Sequence, residues 1–331
     1  MAGQQRRPTL MDVAEAAGVS RALVSIVMRG APGAAESTRK RVLEAARELG
    51  YRPDSRARLL RSARTKLLGL SFFTSEPFHT EIVDAAYAGA AQRGYEIALS
   101  AVARSRPEPR AAEALLDMGC EALIMVSPTM DRQELSGFAQ RAPVVSLLRD
   151  DVGEQVDSVS SDDHAGIRLA VEHLTALGHN RIVHVDGGTA VSAAQRRDAF
   201  RDEMLRRGLE PVVIPAGATE EDGLRAGAFL RADPPSAVIA FNDRTALGVI
   251  ESLRAAGLRV PSDVSVLGYD DSQFARLSYV QLTSVSQDAP LLATAAVDRA
   301  VDRLEGAAGP EHLVRTPHLV VRKTTAQARP A

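Results

Sequence analysis

From Leu67 onward, short unbroken apolar runs recur between helix-period stretches, and this alternation limits the folds open to the chain. LLGLSFF, YEIALSAV, ALIMVS, PVVSLL, RIVHVDG, PVVIPAG, AVIAFN and VSVLGYD each have the length of one strand and little polar alternation. Strands that are apolar on both faces belong to parallel sheets covered by helices on both sides. Helical stretches around residues 79–93, 109–119, 130–141, 163–178, 192–208, 220–232 and 243–257 fill the intervals. The pattern predicts an α/β body of doubly wound parallel sheets. A chain of 331 residues suits two such lobes better than one.

In sheets of this kind ligands bind beyond the carboxyl ends of the strands. Polar residues gather there. SEPFH puts Phe78 and His79 after the first strand, and Arg149 follows the fourth. SSDDHAG supplies Asp162 and Asp163, Asn242-Asp243 ends AVIAF, and Asp270-Asp271 ends VSVLGY. Carboxylates, an amide and a guanidinium converging on a cleft suit the gripping of hydroxyls. A sugar fits this set best, a nucleobase or small acid less well. The competing role is capping of the helices that follow, and about half of these residues are expected only to cap.

Other chemistries find little support. GxSxG, the P-loop signature and HExxH are all missing, and no nucleophile–base pair can be named. His173 and His179 do not converge on one metal at their spacing. We therefore expect no metal, no cofactor and no enzyme, although an enzyme on a doubly wound sheet is the alternative class. Cys120, the single cysteine, precedes ALIMVS and is expected to be a buried structural thiol in a reducing cytoplasm. No run is long and apolar enough to span a bilayer. MAGQQRRPTL has no apolar segment after its charges, which argues against a secretory signal and a secreted solute-binding protein.

The net charge of −2 conceals a split. Residues 1–66 carry 14 Lys and Arg against 6 Asp and Glu, and the remainder carries 26 against 36. A basic head on an acidic body suggests that the head meets a polyanion. Within the head, TLMDVAEAAG reads as a helix opened by Thr9, with Leu10, Val13, Ala14 and Ala17 on its apolar face. GVSRALVSIVMRG reads as a second helix, capped by Ser20, with Val24, Val27 and Met28 inward. A third, from about Ser37 to Leu49, turns Val42, Leu43, Ala46 and Leu49 inward. A helix pair joined by a tight Gly turn within a small core is the helix-turn-helix arrangement.

The run DVAEAAGVSRALVSIVMRG, followed by TRKRVLEAARELGYRP and ARLLRSARTKLLGL, closely resembles the N-terminus of LacI/GalR-type transcriptional regulators. The resemblance makes the second helix a DNA reader. In the family this helix typically begins Val-Ser-x-x-Thr-Val-Ser, followed by Arg or His. Here Arg21 and Ala22 hold the variable positions, Leu23 replaces the Thr, and Ile26 replaces the Arg or His. Arg21 is then the strong base reader, with guanine its favoured partner. Ile26 either packs on a thymine methyl or gives up the contact. Ser20, Ser25 and Arg29 are expected to hold phosphates, and Thr9 joins the candidate DNA contacts. PDSRARLLRSARTK reads by itself as a basic linker. The resemblance makes it a hinge that becomes helical in the minor groove, with Arg58 beside it and Leu60 wedged into a base step. The competing role for Leu60 is to cover the body.

The resemblance extends through HLTALGHNRIVHVDGG, FNDRTALGVIESLRAAGLRVPSDVSVLGYDD and HLVVRKTT to nearly the whole body. It implies the fold of periplasmic sugar-binding proteins. Arg196 matches the arginine of the family's Arg-x-x-Gly-aromatic motif, with Ala199 in place of the Gly. Arg196, Asn242 and Asp270, with Asp162, are carried over as effector contacts; Phe78, His79, Arg149 and Asp243 are added from their strand-end positions. Family sugar sites often stack the ring on an aromatic, frequently Trp. This chain has none, leaving Phe78, Phe241 or Phe274 as substitutes, while Asp222 and Ala289 stand about where lactose-type repressors have aromatics. The expected organisation is a helix-turn-helix domain (1–52), a hinge (53–66) and an effector-binding, dimerising domain (67–331). Its N-lobe would take 67–165 and 290–315, and its C-lobe 166–289 and 316–331. A homodimer on a pseudo-palindromic operator is expected, since KTTAQARPA carries no leucine-heptad tail.

Overall fold

The computed structural model describes residues 8–28, 31–51, 64–307 and 309–329. The chain divides into two compact units, Met1–Thr65 and Lys66–Ala331. In the first unit, helix caps set the frame. Thr9 opens α1 (Leu10–Ala17) through a reciprocal capping box with Asp12, and Gly18, at φ 64°, closes it. α2 (Arg21–Met28) starts where the Ser20 hydroxyl accepts the Leu23 N–H at 3.2 Å. With α3 (Glu36–Glu48), these helices bury Val13, Ala17, Val24, Val27, Val42 and Ala46 in one small core. Leu43 and Leu49 depart from expectation, being 43% and 38% exposed. The inward face of α3 runs Val42, Ala45, Ala46; Leu43 lies off that stripe, and Leu49 falls past the last helical turn.

The second unit holds two six-stranded sheets. The first contains β1 (Leu67–Phe73), β2 (Glu96–Val102), β3 (Ala122–Val126), β4 (Val144–Leu147), β5 (Asp157–Ser161) and the late strand β11 (His312–Arg315). Their order is β11-β5-β4-β3-β1-β2, parallel throughout. The second contains β6 (Ile182–Val185), β7 (Val212–Ile214), β8 (Ala237–Ala240), β9 (Ser265–Asp270), β10 (Thr283–Ser286) and β12 (His318–Val320). Its order is β12-β10-β9-β8-β6-β7, parallel except for the antiparallel edge strand β12.

Helices cover both faces of each sheet. In the N-terminal lobe, α4 (Phe78–Gln92) and α11 (Ala289–Leu304) cover one face, α5 (Glu108–Asp117) and α6 (Arg132–Ala139) the other. In the C-terminal lobe, α7 (Asp163–Ala176) and α8 (Ala193–Arg206) lie opposite α9 (Glu220–Leu230) and α10 (Asp243–Ala255). β3 shows why its run is unbroken: Ala122, Ile124 and Val126 join the first core, and Leu123 and Met125 the other. Of these, Leu123, Ile124, Met125 and Val126 each contribute about 1.5–3 kcal/mol by burial. Cys120 is buried as expected, and burial pushes its thiol up to about 11.

The chain passes between sheets three times, after β5, β10 and β11. Asp157, fully buried in β5, anchors the last return. It pairs with Arg299 and Arg303 of α11 and accepts the Glu311 N–H at 2.9 Å. Among the described residues, no helix is long and apolar enough to cross a membrane.

In the C-terminal lobe α9 and α10 pack with almost no space between them. A Cβ at Gly248 would strike the Glu220 carbonyl oxygen and the Leu224 nitrogen, both backbone atoms that cannot step aside. Gly248→Ala should therefore lower stability by about 1–3 kcal/mol through overpacking. Gly137, inside α6, has open space around its Cβ position. Gly137→Ala should raise stability by about 0.5–1 kcal/mol. Denaturant midpoints of the two variants, moving in opposite directions, check both.

Candidate functional site

A cavity of about 170 Å³ lies between the lobes of the second unit, at the carboxyl ends of the strands. Its N-lobe wall is made by Phe73, Ser75, Glu76, Phe78, His79, Ser127, Thr129 and Leu148. The C-lobe supplies Ala190, Val191, Ser192, Arg196, Ala218, Phe241, Asn242 and Asp270, and Gln287 stands where the chain crosses after β10. One wall carries most of the aromatic surface, and the other carries Arg196 and Asp270.

Arg196 is 4% exposed and paired on several sides. Its Nε donates to Asp163 Oδ1 at 2.8 Å and its Nη1 to the Phe241 carbonyl at 2.8 Å. The guanidinium lies 3.6 Å from the Tyr269 ring centroid and 4.9 Å from that of Phe241. Burial works against its charge, but Asp163 leads the groups that hold it ionised. Asp270 approaches to 3.9 Å and accepts a 2.7 Å hydrogen bond from Gln287 Nε2. Burial raises the Asp270 carboxyl well above the usual range, with Arg196 opposing.

Asp243 lies behind this layer. Its carboxylate accepts from the Ser272 N–H and hydroxyl at 2.7 and 2.8 Å and from the Ser284 hydroxyl at 2.6 Å. Burial still pushes it up to about 7. On the other wall, His79 is 3% exposed, and its Nδ1 accepts the Phe73 N–H at 3.2 Å. That bond leaves the ring proton of the neutral form on Nε2. Burial lowers its pKa to about 4.

Backbone strain gathers at the cavity. Eight non-glycine residues among those described have positive φ, and four of them line it: Ser127 (49°), Leu148 (71°), Ser192 (66°) and Asp270 (103°). Such conformations cost of order 1–3 kcal/mol each and persist where surroundings impose them. Around Ser127, Glu108 accepts the Thr129 and Met130 N–H groups, while Arg149 donates to the Pro128 and Met130 carbonyls.

Of the effector residues expected from sequence, Phe78, His79, Arg196, Asn242 and Asp270 line the cavity, and Arg149, Asp162 and Asp243 do not. Arg149 spends its guanidinium on the 128–130 loop. Asp162 caps α7, accepting the Ala165 N–H at 2.8 Å. Asn242 both lines the cavity and caps α10. Among the aromatic candidates Phe241 lines it, Phe274 does not, and Phe73 was missed although it ends LLGLSFF. Glu76, Ser127, Thr129, Ser192 and Gln287 also line it. The last four carry no charge or ring to mark them in the sequence, and Glu76 sits inside SEPFH, beside the named Phe78 and His79.

In the head, α2 turns Val24 and Val27 inward and leaves Arg21 and Ala22 exposed, with Ser25 and Ile26 half-buried. The hydroxyls of Thr9 and Ser20 act as helix caps. Arg29, Arg58 and Leu60 lie outside the described residues. Among the described residues, no cluster of three or more His, Cys, Asp or Glu could hold a metal ion.

His79 gives the site an acid-sensitive element. Its pKa is lowered from 6.5 to about 4, so between those values the unfolded chain binds the extra proton and the folded one does not. The stabilisation is complete above pH 6.5 and is lost as pH falls to 4, with an upper bound of about 3 kcal/mol. His79→Asn, which keeps an acceptor near Nδ1, should flatten the acid limb of stability against pH. Denaturant midpoints from pH 4 to 7 check this, and parallel curves for the two proteins would contradict it.

Known proteins share these features. Residues 9–54 match the profile of bacterial regulatory proteins of the lacI family, and residues 171–325 that of a periplasmic binding protein-like domain. The transcriptional regulator CelR of Thermobifida fusca is 32% identical, over 97% of this chain and 99% of its own. The crystal structure of the lac repressor dimer bound to operator and the anti-inducer ONPF is 31% identical, with TM-score 0.84, over 97% of this chain and all of that one. A CelR–cellobiose complex is 33% identical, with TM-score 0.71, over 96% of this chain and all of that one. A helical head and a two-lobed α/β body, matched along almost their whole length, identify the chain as a member of the LacI family of bacterial transcriptional regulators.

Proposed function

We propose that the chain is a cytoplasmic repressor whose affinity for a pseudo-palindromic operator changes when a sugar binds between its lobes. The observation that carries this reading is the cavity itself. Strained backbone, a buried arginine held by Asp163 and the Phe241 carbonyl, and a carboxyl raised by burial meet there. Lac repressor, a relative, binds operator DNA, and CelR binds cellobiose.

In this reading Arg196, Asp270, Asn242 and the Nε2–H of His79 grip hydroxyls, and Phe73, Phe78 and Phe241 cover the apolar faces of the ring. The cavity is close to the ~150 Å³ that accommodates benzene, which suits a single six-membered ring. In the head, Arg21 reads a guanine edge, Ala22 and Ile26 make apolar contact, and Thr9, Ser20, Ser25 and Arg29 lie along the phosphates. Arg58 and Leu60 would act in the minor groove, where the hinges of two subunits meet. Closure of the cleft then alters DNA affinity through residues 53–66. Such coupling is reciprocal: operator must change sugar affinity by the same factor.

Selection of binding sites from random duplex DNA by the full-length protein, at near-physiological salt, tests the reading. It should recover a pseudo-palindrome whose affinity falls steeply with salt. Arg21→Ala should cost about 1–3 kcal/mol and relax specificity at one base pair per half-site. Uniform weakening across all sequences would make Arg21 a phosphate contact instead.

A further inference from the structure

The loop that begins at Asp270 does not end at the cavity. Asp270 and Asp271 stand one after the other at φ 103° and 51°, both in the left-handed region. The loop is then fixed to its own lobe. Ser272 donates twice to Asp243, Asp271 pairs with Arg322 at 2.6 Å, and the Asp271 carbonyl accepts from Arg276 Nη1 at 2.9 Å. Its far end reaches the other lobe. The Gln273 N–H donates to Glu81 Oε1 at 2.6 Å, and Arg276 Nη2 pairs with Glu81 Oε2 at 2.5 Å.

Glu81 belongs to α4, the helix whose first turn gives Phe78 and His79 to the cavity wall. A second bridge has the same polarity: Arg244 Nη1 donates to the Ser75 carbonyl at 2.8 Å and lies 3.5 Å from Glu76. At both bridges the C-lobe donates and the N-lobe accepts. Glu81, Gln273 and Arg276 do not line the cavity.

We propose that Glu81 is a positioning residue. It clasps the 270–276 loop to α4, holds the lobes at one separation before any effector binds, and sets effector affinity without touching the effector. The clasp is built to open. Its side chains are 24% and 46% exposed, so water and salt screen the ion pair. The residue at one end of the loop faces the cavity and the residue at the other end holds the clasp. A ligand that draws on Asp270 therefore acts on both.

This deepens the regulator reading, but its test needs neither effector nor DNA, so the two can fail separately. Spin labels at Ser105→Cys and Thr189→Cys, exposed positions in opposite lobes, report the distance across the cleft in the full-length protein. Spin dilution with unlabelled chain isolates the intramolecular distance. The buried Cys120 thiol, with its high pKa, stays unlabelled. With Glu81 in place, the labels should give one narrow distance at low salt. Glu81→Ala and Arg276→Met should lengthen or broaden it, and the exchange Glu81→Arg with Arg276→Glu should restore it. At 1 M NaCl, where screening acts within ~3 Å, the Glu81 protein should broaden as Glu81→Ala does. A narrow, unchanged distance in folded Glu81→Ala overturns the proposal. Should Glu81→Ala fail to fold, the salt titration of the Glu81 protein decides, and a distribution unmoved by salt overturns it equally.

Discussion

A guanidinium withdrawn from water has to be matched by the groups around it, and Arg196 is matched by three other elements at once. Asp163 comes from the start of α7, Arg196 itself from α8, the Phe241 carbonyl from the end of β8, and Tyr269 with Asp270 from β9. Removing one partner of such a pair leaves a charge stranded in a medium that solvates it poorly. The ends of these elements are therefore fixed relative to one another more tightly than hydrophobic packing alone would fix them. Gly166 belongs to the same arrangement, because a Cβ there would collide with the Tyr269 ring and hydroxyl.

Against this charged, rigid wall the N-lobe presents a wall of another kind. Phe73, Phe78 and Leu148 are apolar, and the loops that carry Ser127 and Thr129 are held by Glu108 and Arg149 behind them. A molecule with hydroxyls at its rim and carbon–hydrogen faces can satisfy both walls only when both approach it. Recognition and closure are then one event. That is the property a switch requires, since a ligand shifts a conformational equilibrium only by its difference in affinity for the two states.

Much of this architecture was legible in the sequence. The unbroken apolar runs gave eight strands, because a doubly covered strand must be apolar on both faces. Of the strands that escaped, β5 (DSVSS) and β10 (TSVS) are mostly polar yet buried, and β11 (HLVR) and β12 (HLV) are short edge strands. Apolarity is the wrong test for β5 and β10. Small hydroxyl side chains fill these interiors, as where Ser284 donates to Asp243. α11 escaped for a related reason: the strands bracketing it are too polar to mark its interval. At the cavity, the sequence indicated residues that carry charge or rings. Arg149, named from its place after a strand, turns to its own loop, whereas Arg196, named from the family motif, lies inside α8 and faces the cleft.

β11 and β12, edge strands of the two sheets, come from the last twenty or so residues of the chain and stand three positions apart. Neither lobe can be finished until these two strands have been made. The described helices of the head are complete by residue 48, more than 260 residues earlier. At ribosomal speeds of roughly 5–20 residues per second, the interval is on the order of tens of seconds. Throughout that time a growing chain carries a folded basic head with no complete cleft to govern it.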